Sequence, residues 1–133
     1  MYQTIIIVGN LGRDPELRYT PNGKAVTNFS IATNRQWTNG DGNPVKETVW
    51  FRISAWGKQA ETCNQYLSKG NKVLVEGRLQ PDPDTGGPKI WFREDGTPAA
   101  SFEVNAGTVR FLSSKEEGED QDSSTSTDED IPF

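Results

Sequence analysis

Hydrophobic residues recur in five strand-length stretches over residues 1–112, separated by segments rich in Gly, Pro, Asn and Asp. Short apolar runs with turn-forming residues at both ends are typical of β-strands. A long arm at residues 81–98 precedes the last stretch, and its Asp95-Gly96 pair predicts a hairpin tip. We therefore expect strands at residues 2–11, 26–35, 47–56, 72–79 and 101–112.

One helix is predicted at residues 58–69, between the third and fourth strands. Ala60, Cys63 and Leu67 are spaced along one helical face and should point into a core, and Gly70 should end the helix. This order of elements is that of the OB fold, a five-stranded Greek-key barrel whose loops line an oligonucleotide groove. The sequence therefore predicts an all-β OB-fold domain over residues 1–112.

The third strand has two different faces, because side chains alternate along a strand. One row is apolar and suits a core: Val49, Phe51, Ile53 and Ala55. The other row is Trp50, Arg52, Ser54 and Trp56. A core would not accept the arginine, and a plain solvent-exposed face would not carry two tryptophans. The mixed row suits either base stacking by single-stranded nucleic acid or a subunit interface.

Two further tryptophans, Trp37 and Trp91, fall in predicted loops, where we do not expect them to be buried in the core. Each has a cation on either side of it along the chain. These are Arg35 and Lys46 for the first, and Lys89 and Arg93 for the second. In an OB barrel the elements that carry all these residues adjoin one another, so the interleaved rings and cations favour a groove that holds a single strand.

Charge is divided unevenly along the chain. Residues 1–112 carry a net charge of +2 and residues 113–133 a net charge of −7, so the overall −5 comes from the tail. The segment at 113–127 is polar and acidic and is predicted to be a disordered linker. Large apolar groups occur in the tail only within the tip at 128–133. The tip residues are Asp128, Glu129, Asp130, Ile131, Pro132 and Phe133. Their pattern suits docking into a basic-rimmed apolar pocket of a partner protein, and the alternative is a merely solubilising tail.

Catalysis and cofactors are not expected. The chain has no histidine and a single cysteine, which removes Ser-His-Asp and Cys-His nucleophile systems, paired-cysteine sites and the commonest zinc ligands. The acidic pair Glu94-Asp95 lacks the convergent carboxylates of a two-metal site. The longest N-terminal apolar run has four residues, so no signal or membrane-spanning segment is predicted, and we expect a cytoplasmic, nucleoid-associated protein.

Several short segments together carry a resemblance to a known family. They are VGNLGRDPELRY at 8–19, PNG at 21–23, WFR at 50–52, WGK at 56–58, YLSKG at 66–70, VEGRL at 75–79 and DEDIPF at 128–133. As a set they closely resemble the bacterial single-stranded-DNA-binding protein family. The chain departs from that pattern at Phe51, where relatives place a histidine, and by an apparent insertion at residues 81–90.

The resemblance implies an OB-fold homotetramer that wraps single-stranded DNA during replication, recombination and repair. It places stacking residues at Trp37, Trp50, Trp56 and Trp91. It also implies that Arg52, Lys58 and Lys69 contact the DNA backbone, and that the tip at 128–133 binds partner proteins. Two other binding modules share the barrel and stay open as alternatives: a primosome-type assembly factor and an RNA-binding protein of the cold-shock type.

Overall fold

Strands account for most of the regular structure in the computed structural model, which describes residues 1–113. In chain order the elements are β1 (Ile5–Leu11), β2 (Glu16–Tyr19), β3 (Ala25–Thr38), β4 (Pro44–Trp56), α1 (Lys58–Tyr66), β5 (Lys72–Leu79), β6 (Ile90–Phe92), β7 (Pro98–Ala100) and β8 (Phe102–Phe111). The linker predicted at 113–127, apart from Ser113, and the tip predicted at 128–133 lie outside the described residues.

Five of the strands close into a barrel. The sheet order is β1-β5-β8-β4-β3, and β1 pairs again with β3 through Asn10↔Ala32 and Leu11↔Ile31. The β4–β8 pair is parallel, whereas the other barrel pairs are antiparallel. The helix α1 lies between the third and fourth barrel strands, so the predicted OB-fold barrel with one helix is confirmed.

Two glycines allow the barrel strands to approach closely. A Cβ at Gly9 would collide with the carbonyl oxygen of Ala32, and one at Gly77 with that of Asn105. The second position coincides with a register irregularity between β5 and β8. Such a bulge bends a strand, as a closed barrel requires.

The inward-facing strand residues and one side of the helix form a single core. Ile31, Ile53, Val73, Val75 and Val104 are fully buried at its centre. From the helix side, Ala60, Cys63 and Leu67 are also buried, as their spacing predicts. The polar side chain of Thr27 is also buried, and its hydroxyl donates a hydrogen bond to the Ala60 carbonyl at 2.6 Å.

Several predicted boundaries were wrong. Strand β2 was not predicted, and it extends the sheet by pairing with β3. The first strand begins at Ile5 rather than at residue 2, and the last one spans Phe102–Phe111 rather than 101–112. The loop predicted between the strands at 26–35 and 47–56 is shorter than expected, because β3 and β4 continue to pair as far as Thr38↔Pro44. This pairing places Trp37 inside a strand.

The helix ends earlier than its sequence pattern predicts. It stops at Tyr66, since Leu67 has an extended backbone, and Gly70, at φ 91°, belongs to the turn that follows. The backbone amides that follow the helix donate hydrogen bonds to side chains instead of to helical carbonyls. The Ser68 amide donates to the Asn71 side-chain oxygen, and the Lys69 amide donates to the Asp14 carboxylate. Of the helices in residues 1–113, none is long and apolar enough to cross a membrane.

Candidate nucleic-acid interface

The outer row of β4 contains the aromatic and cationic side chains that the alternation predicts. Trp50 is 52% exposed and Trp56 is 37% exposed, with exposed Arg52 between them. Ser54 differs from the prediction because it is buried. The Asn28 side-chain amide on the neighbouring strand covers it and donates a hydrogen bond to its hydroxyl at 2.8 Å.

A groove crosses this row between the β1–β2 loop and the arm. Its first part is a cavity of about 630 Å³ at Trp50, whose wall includes Arg13, Arg52 and Phe102. The second part, of about 450 Å³, lies at Trp56. Its lining includes Arg18, Arg52, Lys89, Trp91 and Glu103. Asn28 and Arg52 line both parts, which makes them one continuous surface, called the β4 groove below.

Each groove tryptophan is held by a specific neighbour. The six-membered ring of Trp50 lies over Gly12, where a Cβ would stand only 2.5 Å from Cζ3. The Trp56 indole Nε1 donates to the Asn105 side-chain oxygen at 3.3 Å, and the Lys24 ammonium lies 5.4 Å from its ring centroid. These contacts orient the rings while leaving part of each face open to solvent.

Arm residues complete the groove. The predicted hairpin tip is confirmed: β6 and β7 pair, and Gly96 has φ 88° in the turn. The Arg93 guanidinium lies 5.7 Å from the ring centroid of Trp91. Asp95 accepts hydrogen bonds from the amide and hydroxyl of Thr97, and the hydroxyl bond is the main cause that lowers the Asp95 pKa. This carboxylate therefore has a structural role in the turn.

Trp37 lies elsewhere on the protruding β3–β4 hairpin. It pairs with Val45, whereas Ala32 pairs with Trp50, so alternation directs Trp37 and Trp50 to opposite faces of the hairpin. The Arg35 guanidinium covers the Trp37 ring at 4.5 Å and forms an ion pair with Glu47 at 3.7 Å. Neither part of the β4 groove includes Trp37 in its lining.

The sequence model of the single-strand binding protein family matches residues 2–112 of this chain. The chain belongs to the single-strand binding protein family. Among its relatives, the single-stranded DNA-binding protein of Neisseria meningitidis serogroup A is 40% identical over 113 residues, which cover 85% of this chain and 61% of the relative. That of Wolinella succinogenes is 40% identical over 133 residues, covering 96% and 78%. The chain thus spans 61% of the length of the Neisseria relative.

Solved structures of the same family share the fold. A Plasmodium falciparum SSB in complex with ssDNA matches with a TM-score of 0.68 at 25% identity, over 84% of this chain and 96% of the other. A deletion mutant of the single-stranded DNA binding protein from Thermus aquaticus matches with a TM-score of 0.63 at 26% identity, over 82% and 49%. Because the family consists of binding proteins, the expectation that the chain is not an enzyme is confirmed.

The other cations predicted from sequence lie at several different places on the barrel. Lys46 shares the hairpin face of Trp50, since the two are four residues apart on β4. Lys58 lines a separate cavity beside Phe111. The amide of Lys69 is tied to the β1–β2 loop by Asp14, at 2.8 Å. Arg52 and Lys89 line the groove and Arg93 lies beside its Trp91 ring, whereas Lys58 lies against a different cavity.

Sequence reasoning missed three cations at the groove: Arg13, Arg18 and Lys24. They lie within or beside β2 and its two flanking turns, the segment that was not predicted to be a strand. The sequence did contain a signal, because Arg13 and Arg18 lie inside the resemblance segment 8–19 and Lys24 directly follows the segment 21–23. Only the β2–β3 pairing, however, brings that segment to the groove.

The lone cysteine is a core residue. Cys63 is fully buried on the inner side of α1, and burial raises the pKa of its thiol to about 11. At neutral pH the thiol is therefore protonated and a poor nucleophile. This agrees with its predicted role as a small buried hydrophobe.

Proposed function

We propose that this chain binds single-stranded DNA with little sequence preference, by stacking bases on tryptophans and contacting phosphates with cations of the β4 groove. One observation carries the proposal: Trp50, Trp56 and Trp91 are 37–52% exposed along a continuous groove that also contains Arg52 and Lys89. Exposed rings interleaved with cations match the two chemical features of a single strand, its flat bases and its charged backbone.

Stacking accounts for both the affinity and the tolerance of sequence. Each base–aromatic stack contributes about 1–3 kcal/mol, and every base offers a flat face. In a duplex those faces are already stacked on one another, so the same groove should discriminate against paired DNA. The relatives named as single-stranded DNA-binding proteins support DNA as the ligand, as does the Plasmodium complex with ssDNA.

Further residues extend the proposed surface beyond the groove tryptophans. Trp37 would stack bases from the opposite face of the hairpin, so a bound strand would pass around that hairpin. Cations proposed to contact phosphates are Arg35, Lys46, Arg52, Lys58, Lys69, Lys89 and Arg93, to which the groove geometry adds Arg13, Arg18 and Lys24. Acting on cellular DNA, the protein would work in the cytoplasm.

Alanine substitution at the groove rings tests this function. Trp50→Ala and Trp56→Ala should each raise the Kd for fluorescein-labelled oligo-dT about 5-fold to 150-fold, the equivalent of about 1–3 kcal/mol. Tyr66→Ala is a matched control, because Tyr66 is 53% exposed and packs on Phe111 away from the groove. If the tryptophan variants kept full affinity and instead dissociated or unfolded, the row would be an interface rather than a DNA-binding surface.

Assembly into a homotetramer is the second part of the proposal. On β1, Ile6 is 61% exposed and Val8 is 47% exposed on the same face of the strand. The pairing of β1 with β3 is confined to Asn10 and Leu11, so in the described region the rest of that edge is open. An open edge beside exposed apolar side chains suits association with a second copy. Val8→Lys should shift the assembly towards smaller species in sedimentation, and a wild-type monomer would contradict the proposal.

Recruitment of replication, recombination and repair proteins is the third part, and it rests on the sequence of the tip. Deletion of 128–133, or Phe133→Ala, should abolish capture of such enzymes from a cell extract while DNA affinity stays equal or rises at low salt. Deletion of 118–123 is a matched control, since it also removes six residues and three acidic groups. Equal loss of capture in both deletions would indicate a general charge effect instead of a docking tip.

A further inference from the structure

An exposed phenylalanine stands at the end of the β4 groove. Phe102 is 61% exposed although it begins the barrel strand β8. Its ring contacts that of Phe51, with centroids 5.8 Å apart and planes tilted by 39°. The parallel pairing of β4 with β8 starts at this residue pair, so the preceding part of β4, including Trp50, has no β8 partner beside it. The groove can therefore continue past Trp50 to the Phe102 ring.

The cavity at this place has the size and lining of a ligand site. Its volume of about 630 Å³ falls within the range of about 300–1,000 Å³ found for small-molecule sites. Phe102 and Trp50 both line it. Its charged residues are two cations, Arg13 and Arg52, and two carboxylates, Asp14 and Glu16. The hydroxyl-bearing residues Ser101 and Thr48 are also in the lining. Hydroxyl groups both donate and accept, so they could meet the edge of any base.

We infer that Phe102 is a further base-stacking residue, which together with Phe51 and Trp50 forms a subsite for one unpaired base of the bound strand. Arg13 is placed to contact the phosphate of the same nucleotide. This subsite rests on the proposed binding of single-stranded DNA and lengthens the path of the strand beyond the tryptophan row. It would add a phenylalanine to the stacking rings of the groove, beside the tryptophans that line it.

The apolar character of the wall determines which part of the nucleotide enters. A phosphate placed against the Phe51 and Phe102 rings would lose its hydration without gaining a donor. A base presents a flat face that stacks on such rings, while its phosphate can stay with Arg13 at the mouth of the cavity. The strand should therefore insert a base between the aromatic side chains and keep its backbone towards the guanidinium groups.

Affinity measurements on the full chain test the subsite. Phe102→Ala should raise the Kd for oligo-dT about 5-fold to 150-fold, and Phe102→Tyr, which keeps a ring, should bind as wild type does. Phe92→Ala is the matched control, because Phe92 is 71% exposed on the arm but lines neither part of the groove. Wild-type affinity in Phe102→Ala would overturn the inference, while tight binding by the wild-type protein would leave the proposed function intact.

A second measurement needs no variant. Oligo-dT carrying a single 5-iodouracil should cross-link on irradiation to Phe102 or Phe51 in the wild-type protein, as located by mass spectrometry. Cross-links confined to the tryptophans would overturn the subsite. If the wild-type protein did not bind oligo-dT at all, that result would contradict the proposed function itself and not only the subsite.

Discussion

Gly12→Ala should weaken DNA binding although position 12 need not touch DNA. A Cβ at this position would stand 2.5 Å from Cζ3 and 2.7 Å from Cη2 of Trp50. Carbon atoms normally approach no closer than about 3.5 Å, so one of the two groups must move by about 1 Å. The backbone of the β1–β2 loop is tied at both ends, by the Gly12 amide to Ser30 and by Asp14 to Lys69. The indole ring of Trp50 is therefore the group that moves.

The magnitude follows from the stacking energy that the displaced ring loses. A full base stack contributes about 1–3 kcal/mol, so Gly12→Ala should raise the Kd by up to about 150-fold and no more than Trp50→Ala does. Because both changes act on one ring, Gly12→Ala combined with Trp50→Ala should bind as weakly as Trp50→Ala alone. Thermal stability should change little, since the ring can rotate into solvent.

Fluorescence anisotropy with labelled oligo-dT measures all three variants, with Gly40→Ala as a control. A Cβ at Gly40 meets no atom within 4 Å, and the residue lies in the turn of the protruding hairpin. Wild-type affinity in Gly12→Ala would refute the reasoning. So would additive losses in the double variant, which would mean that Gly12 affects DNA by a route other than Trp50.

Three further outcomes are expected. Cys63 should react slowly with alkylating reagents in the native protein at pH 8. Rapid labelling of the native protein would contradict this slow reaction. Burial raises the Cys63 pKa from 9.0 to about 11, so the stabilisation by the neutral thiol is fully present below about pH 9. That contribution to the free energy of unfolding should decrease between pH 9 and 11, as measured by urea titrations. Thr27→Val should lower the free energy of unfolding by about 1–3 kcal/mol, as the buried Ala60 carbonyl loses its hydroxyl donor, and unchanged urea denaturation would argue against it. Gly77→Ala should lower the melting temperature, because its Cβ collides with Asn105 in the bulge; an unaltered melting curve would show that the strands can separate there at no cost.

The barrel could be predicted from sequence because its strands bury alternate side chains. The stretch at 72–79 matches β5 without error, and its inward residues Val73 and Val75 are fully buried. Strand β2 leaves no such pattern, since three of its four residues are exposed. It exists through backbone pairing with β3, as in Arg18↔Val26, and such pairing leaves little trace in side-chain chemistry.

The protruding hairpin was missed for a related reason. Polar residues such as Gln36 and Lys46 look like a loop, yet they pair in regular register beyond the end of the barrel. Ser54 was predicted to face outwards, and its row does so, but Asn28 on the next strand covers it. Alternation identifies the face of a strand, whereas burial depends on neighbours that only the fold brings together.

The groove cations likewise divide into one that the strand pattern predicts and three that only the fold brings to the site. Arg52 was predicted because it alternates with two tryptophans on a single strand. Arg13, Arg18 and Lys24 are brought to the groove by the β1–β2 loop and the β2–β3 pairing, which are tertiary features. Local patterns can thus identify the aromatic row, but the set of cations around it requires the folded chain.

Intrinsic tryptophan fluorescence, titrated with oligo-dT and with a duplex of equal length over a range of salt concentrations, tests the central claim most directly. Oligo-dT should quench the emission strongly, because Trp50, Trp56 and Trp91 are all partly exposed in the groove. Its affinity should exceed that for duplex and should fall with salt, with a log–log slope of about −0.7 for each phosphate neutralised. Equal affinity for duplex, or binding of oligo-dT without quenching, would contradict binding by base stacking.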